Sequence, residues 1–282
     1  LDGYLKQKNT STGRIHPEYR IGMTATGRLS CSNPNVQQAP NDPEFRKLFT
    51  APAGHVLVSG DFSQVELRIA AALSRDGVML DAYANGVDLH TLTAAGSAGV
   101  SPDKVTPEMR QGAKVLNFGS LYGMRSKALA ATTEQTYGVP MSEAEAEVAL
   151  HKFSATYPQL AEWQRARRKQ ARSTGQVFSK SGLVRDFAAL SAGNMDAEAM
   201  NMPVQATGAE VLLASLRKLK RPLASTVHDE ITIITPKNEA EAAKEELTTA
   251  MIEGFVEILP EYDQLLNGLV EVKQGQNWAE VH

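Results

Sequence analysis

"VLVSGDFSQVELR", residues 56–68, decides how the chain is read. An apolar run through Val56, Leu57 and Val58 climbs to Asp61, and a helix-like tail follows. Residues 55–60 read as a buried strand, and 64–74, "QVELRIAAALS", as a helix of good formers. A carboxylate at that junction is either a turn residue or one end of a site, and taken alone it reads as a turn residue. A second acid of this kind stands far along the chain. The stretch "LASTVHDEITIITP", 223–236, has β-branched arms on both sides of His228-Asp229 and reads as a β-hairpin with a charged tip. If the two strands are neighbours in one sheet, Asp61 and Asp229 meet at its edge. Two hard oxygen donors, completed by water and substrate phosphates, are how Mg²⁺ is held. Two such ions can clamp the attacking and leaving oxygens of a phosphoryl transfer.

The totals bound the answer. A chain of 282 residues with 42% hydrophobic and 22% charged residues has room for a sizeable core in one large domain or two smaller ones. No stretch has the apolar length of a membrane span, and no charged, apolar leader points to secretion; the cytoplasm is the expected location, with an organelle as the alternative. It opens on Leu1, as a fragment, a processed form or an excised domain would. The lone Cys31 excludes an intramolecular disulfide and a thiolate zinc site. A net charge of −3 argues against coating nucleic acid by charge alone. Within that acidic whole, "WQRARRKQAR", 163–172, is basic, and reads either as a phosphate-facing surface or as a solvated helix face.

Residues 1–55 read as short strands and loops punctuated by Gly and Pro. Helices are expected at 88–98, 107–122, 142–156 and 158–173, the third opening on the capping-box pair Ser142 and Glu145. A loop near Gly193 should precede a helix over about 196–219, entered through Pro203. An acidic helix, 238–258, leads to a terminal strand and tail. Strand-rich ends around a helical insertion give an α+β layout: an antiparallel sheet with packed helices, interrupted by a helical subdomain.

One helix has an unusual face. In "RQGAKVLNFGSLYG", 110–123, Arg110, Lys114, Phe118 and Tyr122 are four apart and form one stripe. Such stripes are often packing, but Arg and Lys are poor core residues. Two cations followed by two aromatics suit a triphosphate with its sugar and base. Gly112 and Gly119 weaken this helix for no packing gain that the sequence shows.

Together these pieces resemble the polymerase portion of family A DNA polymerases, the bacterial DNA polymerase I group and its phage relatives. "GDFSQVELR" is similar to the first palm motif, "RQGAKVLNFGSLYG" to the fingers-helix motif, and "VHDE", 227–230, to the second palm motif. "TATGRLSCSNPNVQQAP", 24–40, "DLHTLTA", 88–94, and the ending "GQNWAEVH" resemble further blocks in family order. The resemblance implies a right-hand polymerase fold, with palm at 1–75 and 194–282 and fingers at 76–193. It implies template-directed addition of dNTPs to a primer 3′ end, with pyrophosphate release, in replication or repair.

The implied roles are specific. Asp61 and Asp229, with the Phe62 carbonyl, would hold two Mg²⁺ ions, Mn²⁺ being an allowed substitute. Glu230 would be a supporting catalytic acid, and Lys114 the acid that protonates departing pyrophosphate. Arg110, Lys114 and His90 would hold the nucleotide's phosphates, with Gln64 also at the nucleotide. Phe118 would lie against sugar and base, Tyr122 beside the nascent pair, and Glu66 under the sugar where a 2′-hydroxyl would go. Arg28, Gln205 and His228 would touch the primer end and minor groove, and Asn201 the template-primer. Primer-template DNA and dNTPs are the implied partners, with upstream thumb or exonuclease domains or accessory replication proteins as further ones. No thumb precedes residue 1 in this sequence, so weak grip and low processivity are expected.

The chain departs from the family pattern at Phe62, where Tyr is usual, at Ala197, where an arginine is usual, at Cys31, and in the loosely matching "SGLVR", 181–185. Three rival classes remain. A single-subunit RNA polymerase shares the palm, but Glu66 should exclude its substrate. A binding module that lost catalysis would not need Asp61, Asp229, Arg110 and Lys114 intact. A two-metal nuclease needs more acids than these motifs supply.

Overall fold

A computed structural model describes residues 2–138, 140–188 and 192–282. In chain order the first elements are α1 (Asp2–Leu5), β1 (Glu18–Arg20), β2 (Ser30–Ser32), α2 (Pro43–Arg46), β3 (His55–Phe62), α3 (Val65–Ser74), α4 (Gly77–Ala84) and α5 (Leu89–Ala98). Then come α6 (Pro107–Leu121), α7 (Ser126–Tyr137), α8 (Glu143–Thr156), α9 (Pro158–Thr174), β4 (Gln176–Phe178), β5 (Val184–Asp186) and α10 (Ala192–Lys218). The chain closes with β6 (Leu223–Val227), β7 (Glu230–Pro236), α11 (Ala240–Ile258), β8 (Val270–Gly275) and α12 (Trp278–Val281). This is the expected α+β class. None of the described helices is long and apolar enough to cross a membrane.

Packing divides the chain into two units. The first comprises Leu1–Ser63, Gly208–Pro260 and Gly268–His282, and the second Gln64–Thr207 and Glu261–Asn267.

The first unit is built on an antiparallel sheet of order β6-β7-β3-β8. Its central strand β3 is covered on both faces, which is why its sequence reads as a continuous apolar run. On one face α11 comes in close. A Cβ on Gly60 would stand 2.6 Å from Met251 Sδ and 3.1 Å from Leu247 Cδ2, so any larger residue would force the Met251 side chain of α11 to move. On the other, Leu57 packs with Ala51, Val227, Trp278 and Val281. The β6–β7 hairpin closes through His228-Asp229 as expected, with His228 in the left-handed region at φ 55°.

The second unit is helical, with the small β4–β5 hairpin attached. Local signals set most of its boundaries: α8 starts on a complete Ser142–Glu145 capping box, and Asp88 and Thr106 cap α5 and α6. The expected loop near Gly193 falls in part on residues 189–191, which lie outside the described residues. α10 is continuous from Ala192, and Pro203 lies inside it rather than at its entry. An interior proline costs the helix about 3 kcal/mol. Here Met202 and Ala206 pack into a core with Ala171, Val177, Phe187 and Ala199, and Thr207 Oγ1 donates to the Pro203 carbonyl at 2.7 Å. Gly119 also has the packing reason its sequence hid: a Cβ there would stand 3.3 Å from both Leu129 Cδ1 and Met124 Sδ, whereas one on Gly112 would meet nothing within 4 Å.

Candidate active site

In the first unit the sheet brings three acids into one row. Asp61 on β3 pairs in register with Glu230 on β7 and with Glu271 on β8, and Asp229 is the turn residue next to Glu230. Burial raises the Asp61 carboxyl, and the charges of Asp229, Glu230 and Glu271 raise it further, to about 7, against the opposing pull of Lys273. Asp61 itself keeps some solvent access, and the like charges around it add to the burial that leads the shift.

Glu230 is wired differently from its neighbours. Its Oε1 accepts from Trp278 Nε1 at 3.2 Å and from Thr232 Oγ1 at 2.9 Å, and its Oε2 pairs with His282 Nδ1 at 2.7 Å. Both oxygens are therefore engaged within the protein, and Glu230 anchors the start of β7 to the C-terminal helix. Phe62 is buried at 2% exposure, where a tyrosine hydroxyl would need a partner of its own.

The donor set fits a hard divalent cation. Among the described residues no group of three or more His, Cys, Asp or Glu side chains could by itself hold a metal ion. Asp61 and Asp229 are two neighbouring carboxylates whose mutual repulsion a cation would relieve. Mg²⁺ binds few protein groups and keeps places for water and phosphate.

In the second unit the α6 stripe is present as spaced. Phe118 and Tyr122 stack at 6.4 Å between centroids, and His90 stands 5.9 Å from Phe118. The Tyr122 hydroxyl donates to the carboxylate of Glu66, which is 9% exposed in the first turn of α3. Lys114 has no ion-pair or hydrogen-bond partner among the described residues.

Arg110 is held by a residue that the sequence reading did not single out. Its Nε and Nη2 donate to Asp88 at 2.7 and 3.0 Å, a bidentate pair. Asp88 also caps α5 by accepting from Thr91 N and Oγ1, and it accepts from Gln64 Nε2 at 3.2 Å. Burial opposes ionisation there, but the hydrogen bonds from Arg110 and Thr91 hold the Asp88 carboxyl well below the usual range. Gln64 is spent in this network, since its Oε1 also accepts from Tyr83 at 3.1 Å. The position of Asp88, an acid one residue before a helix and two before His90, is the signal that could have found it.

His90 is 3% exposed. Burial lowers it to about 4, helped by Arg110 and Lys114 against the pull of Asp88, so the ring is neutral. Asn117 Oδ1 accepts from Thr93 Oγ1, which turns the amide N–H toward His90 Nδ1 at 2.7 Å. That assignment leaves the ring proton on Nε2 as a donor.

Asn201 and Gln205 lie one turn apart on α10, and the buried Asn201 Oδ1 has no hydrogen-bond partner among the described residues. In the first unit Arg28 follows the tight turn at Gly27, with its carbonyl accepting from Thr24 Oγ1 at 2.9 Å. His228 is exposed at the hairpin tip.

The first unit thus carries paired carboxylates at one edge of its sheet, and the second a helix bearing cations and then aromatics. The profile of DNA polymerase family A matches residues 1–280, and the chain belongs to that family. It is 37% identical to DNA polymerase I of Aquifex aeolicus over 254 residues, covering 87% of this chain and 43% of the relative. It is 35% identical to DNA polymerase I of Caldicellulosiruptor bescii over 297 residues, covering 99% of this chain and 33% of the relative. The chain thus spans less than half the length of these relatives. Among solved structures it is similar to the POL domain of Pol1 from M. smegmatis in complex with DNA primer-template and dNTP. That match has a TM-score of 0.86 and 27% identity, and covers 99% of this chain and 50% of that one.

Proposed function

We propose that this chain is the polymerising portion of a DNA-directed DNA polymerase, adding dNTPs to a primer 3′ end on a DNA template and releasing pyrophosphate, in replication or repair. The observation that carries the proposal is the meeting of Asp61 and Asp229, from strands some 170 residues apart, at neighbouring ends of one sheet. Family membership and the primer-template and dNTP bound by the M. smegmatis relative support it.

Asp61 and Asp229, with the Phe62 carbonyl, would hold two Mg²⁺ ions. Such ions supply charge stabilisation at the phosphates and lower the pKa of a bound hydroxyl. Glu230, fixed by Trp278 and His282, keeps the Asp229 turn in place. Arg110, Lys114 and the Nε2–H of His90 bind the triphosphate, and Lys114 gives a proton to pyrophosphate as it leaves. Phe118 and Tyr122 meet the base and sugar. Glu66, positioned by Tyr122, fills the space of a 2′-hydroxyl and so selects dNTPs over rNTPs. Arg28, Gln205 and His228 take the primer end and minor groove. The unsatisfied oxygen of Asn201 suits a template-primer contact. In this reading residues 1–75 and 194–282 form the palm and 76–193 the fingers. The protein works in the cytoplasm, with upstream thumb or exonuclease domains as further partners.

Single-nucleotide addition on four templates differing at one base tests the proposal. Only the complementary dNTP should be added in each case. No extension, or addition regardless of template, would overturn it.

A further inference from the structure

The basic run in α9 is not used by any role above. Arg165, Arg168, Lys169 and Arg172 follow the spacing i, i+3, i+4, i+7, so they occupy one face of the helix. A groove of about 420 Å³ is lined by these four residues and Ser173. The opposite side of α9 is the packing side, with Leu160 and Ala171 buried. Every neighbour on the stripe has the same sign, an arrangement that disfavours the helix unless something outside neutralises it. Within the described residues only Arg172 has an acidic partner, Asp196, with Nε to Oδ1 at 3.0 Å. Glu162, one turn before Arg165, makes no ion pair with the stripe. The chain as a whole is acidic at −3, so this concentration of cations is local.

The position of α9 narrows the partner. Gln164, one residue before the stripe, donates through Nε2 to the Ser120 carbonyl at 2.9 Å. Ser120 belongs to the last turn of α6, the end that carries Phe118 and Tyr122 rather than Arg110. If that end meets the nascent base pair, a template strand not yet copied continues from there. From Arg165 to Arg172 the stripe runs about 10 Å at 1.5 Å per residue. Along that length each cation can neutralise one phosphate of a strand.

We infer that the outward face of α9 binds the phosphates of the single-stranded template ahead of the primer terminus. This rests on the polymerase reading for the identity of the strand, and its test needs neither catalysis nor nucleotide. Two primer-templates of identical duplex are compared, one blunt and one with a 5′ template overhang of about ten nucleotides. Binding to the whole chain is followed by fluorescence anisotropy across a salt series. The variant R165Q/R168Q/K169Q leaves the Arg172–Asp196 pair alone, and equal circular dichroism and thermal midpoint establish that it is folded.

On the overhang substrate the slope of log K against log salt should be shallower in the variant by about 2, from 0.7 per phosphate and three phosphates. On the blunt duplex the two slopes should agree. Equal slopes on both substrates would make the stripe a solvated face, and an equal loss on both would make it a duplex-binding surface. Either result overturns the inference. A chain that fails to extend primers but keeps the overhang-dependent slope would fail the polymerase reading alone.

Discussion

Asp88 offers a sharp test of how the nucleotide helix is held. It does two things at once: it caps α5 and grips Arg110 through both carboxylate oxygens. Removing an N-cap acceptor costs about 1 kcal/mol. Arg110 is 39% exposed and Asp88 29%, so the ion pair is discounted to surface values. Its bidentate geometry puts it toward the upper end of these, about 1 kcal/mol. Asp88→Ala should therefore lose about 2 kcal/mol at pH 7. Asp88→Asn keeps a good cap acceptor and should lose about 1 kcal/mol, the charge pair alone. The carboxyl is held below its unfolded value of about 4, so the pair contributes in full above that pH and is lost as the pH falls toward the folded-state value. Urea unfolding followed by circular dichroism at pH 7, 5 and 3 measures both gaps. The wild-type to Asp88→Asn gap should be constant from pH 7 to 5 and narrow at pH 3. Equal costs for the two variants, or an Asp88→Asn gap that does not change with pH, would refute the division into cap and pair.

Three further outcomes follow from the same geometry. Tyr122→Phe removes a donor from the buried Glu66 carboxylate and should cost on the order of 1–3 kcal/mol in urea unfolding; a change below about 0.5 kcal/mol would contradict the clasp. Gly112→Ala, with nothing near its Cβ, should stabilise by up to about 1 kcal/mol. Gly119→Ala, crowded by Leu129 and Met124, should instead destabilise by about 1 kcal/mol, and thermal melts giving both variants the same sign would refute the contrast. With the Asp61 carboxyl raised to about 7, a cation must displace a proton below that pH. The Mg²⁺ concentration for half-maximal extension should fall up to about tenfold per unit from pH 6 to 7 and level off above. A requirement constant from pH 6 to 8 would contradict it.

Much of the molecule was legible because its signals are local. The apolar run into Asp61, the β-branched arms around His228-Asp229, the four-residue spacing of the α6 stripe and the Ser142–Glu145 box all act within one strand or turn. That the strand ending on Asp61 neighbours the hairpin stood as a condition, which the β3–β7 register meets. What stayed hidden depends on partners distant in sequence. Glu230 reaches Trp278 and His282, 48 and 52 residues away, so the anchoring of β7 to the C-terminal helix had no local trace. Arg110 reads as a phosphate ligand, and nothing local shows that Asp88, 22 residues earlier, grips it. Pro203 reads as a helix entry under local rules, and the packing of Met202 and Ala206 carries α10 through it.

The central claim is that Asp61 and Asp229 together make the catalytic centre. Primer extension with Mg²⁺, comparing the wild-type chain with Asp229→Ala, measures it directly. Loss of one of two charge-stabilising ligands is worth several kcal/mol, so the variant should extend at least about a thousandfold more slowly while still binding primer-template. Extension by Asp229→Ala at the wild-type rate would contradict the account.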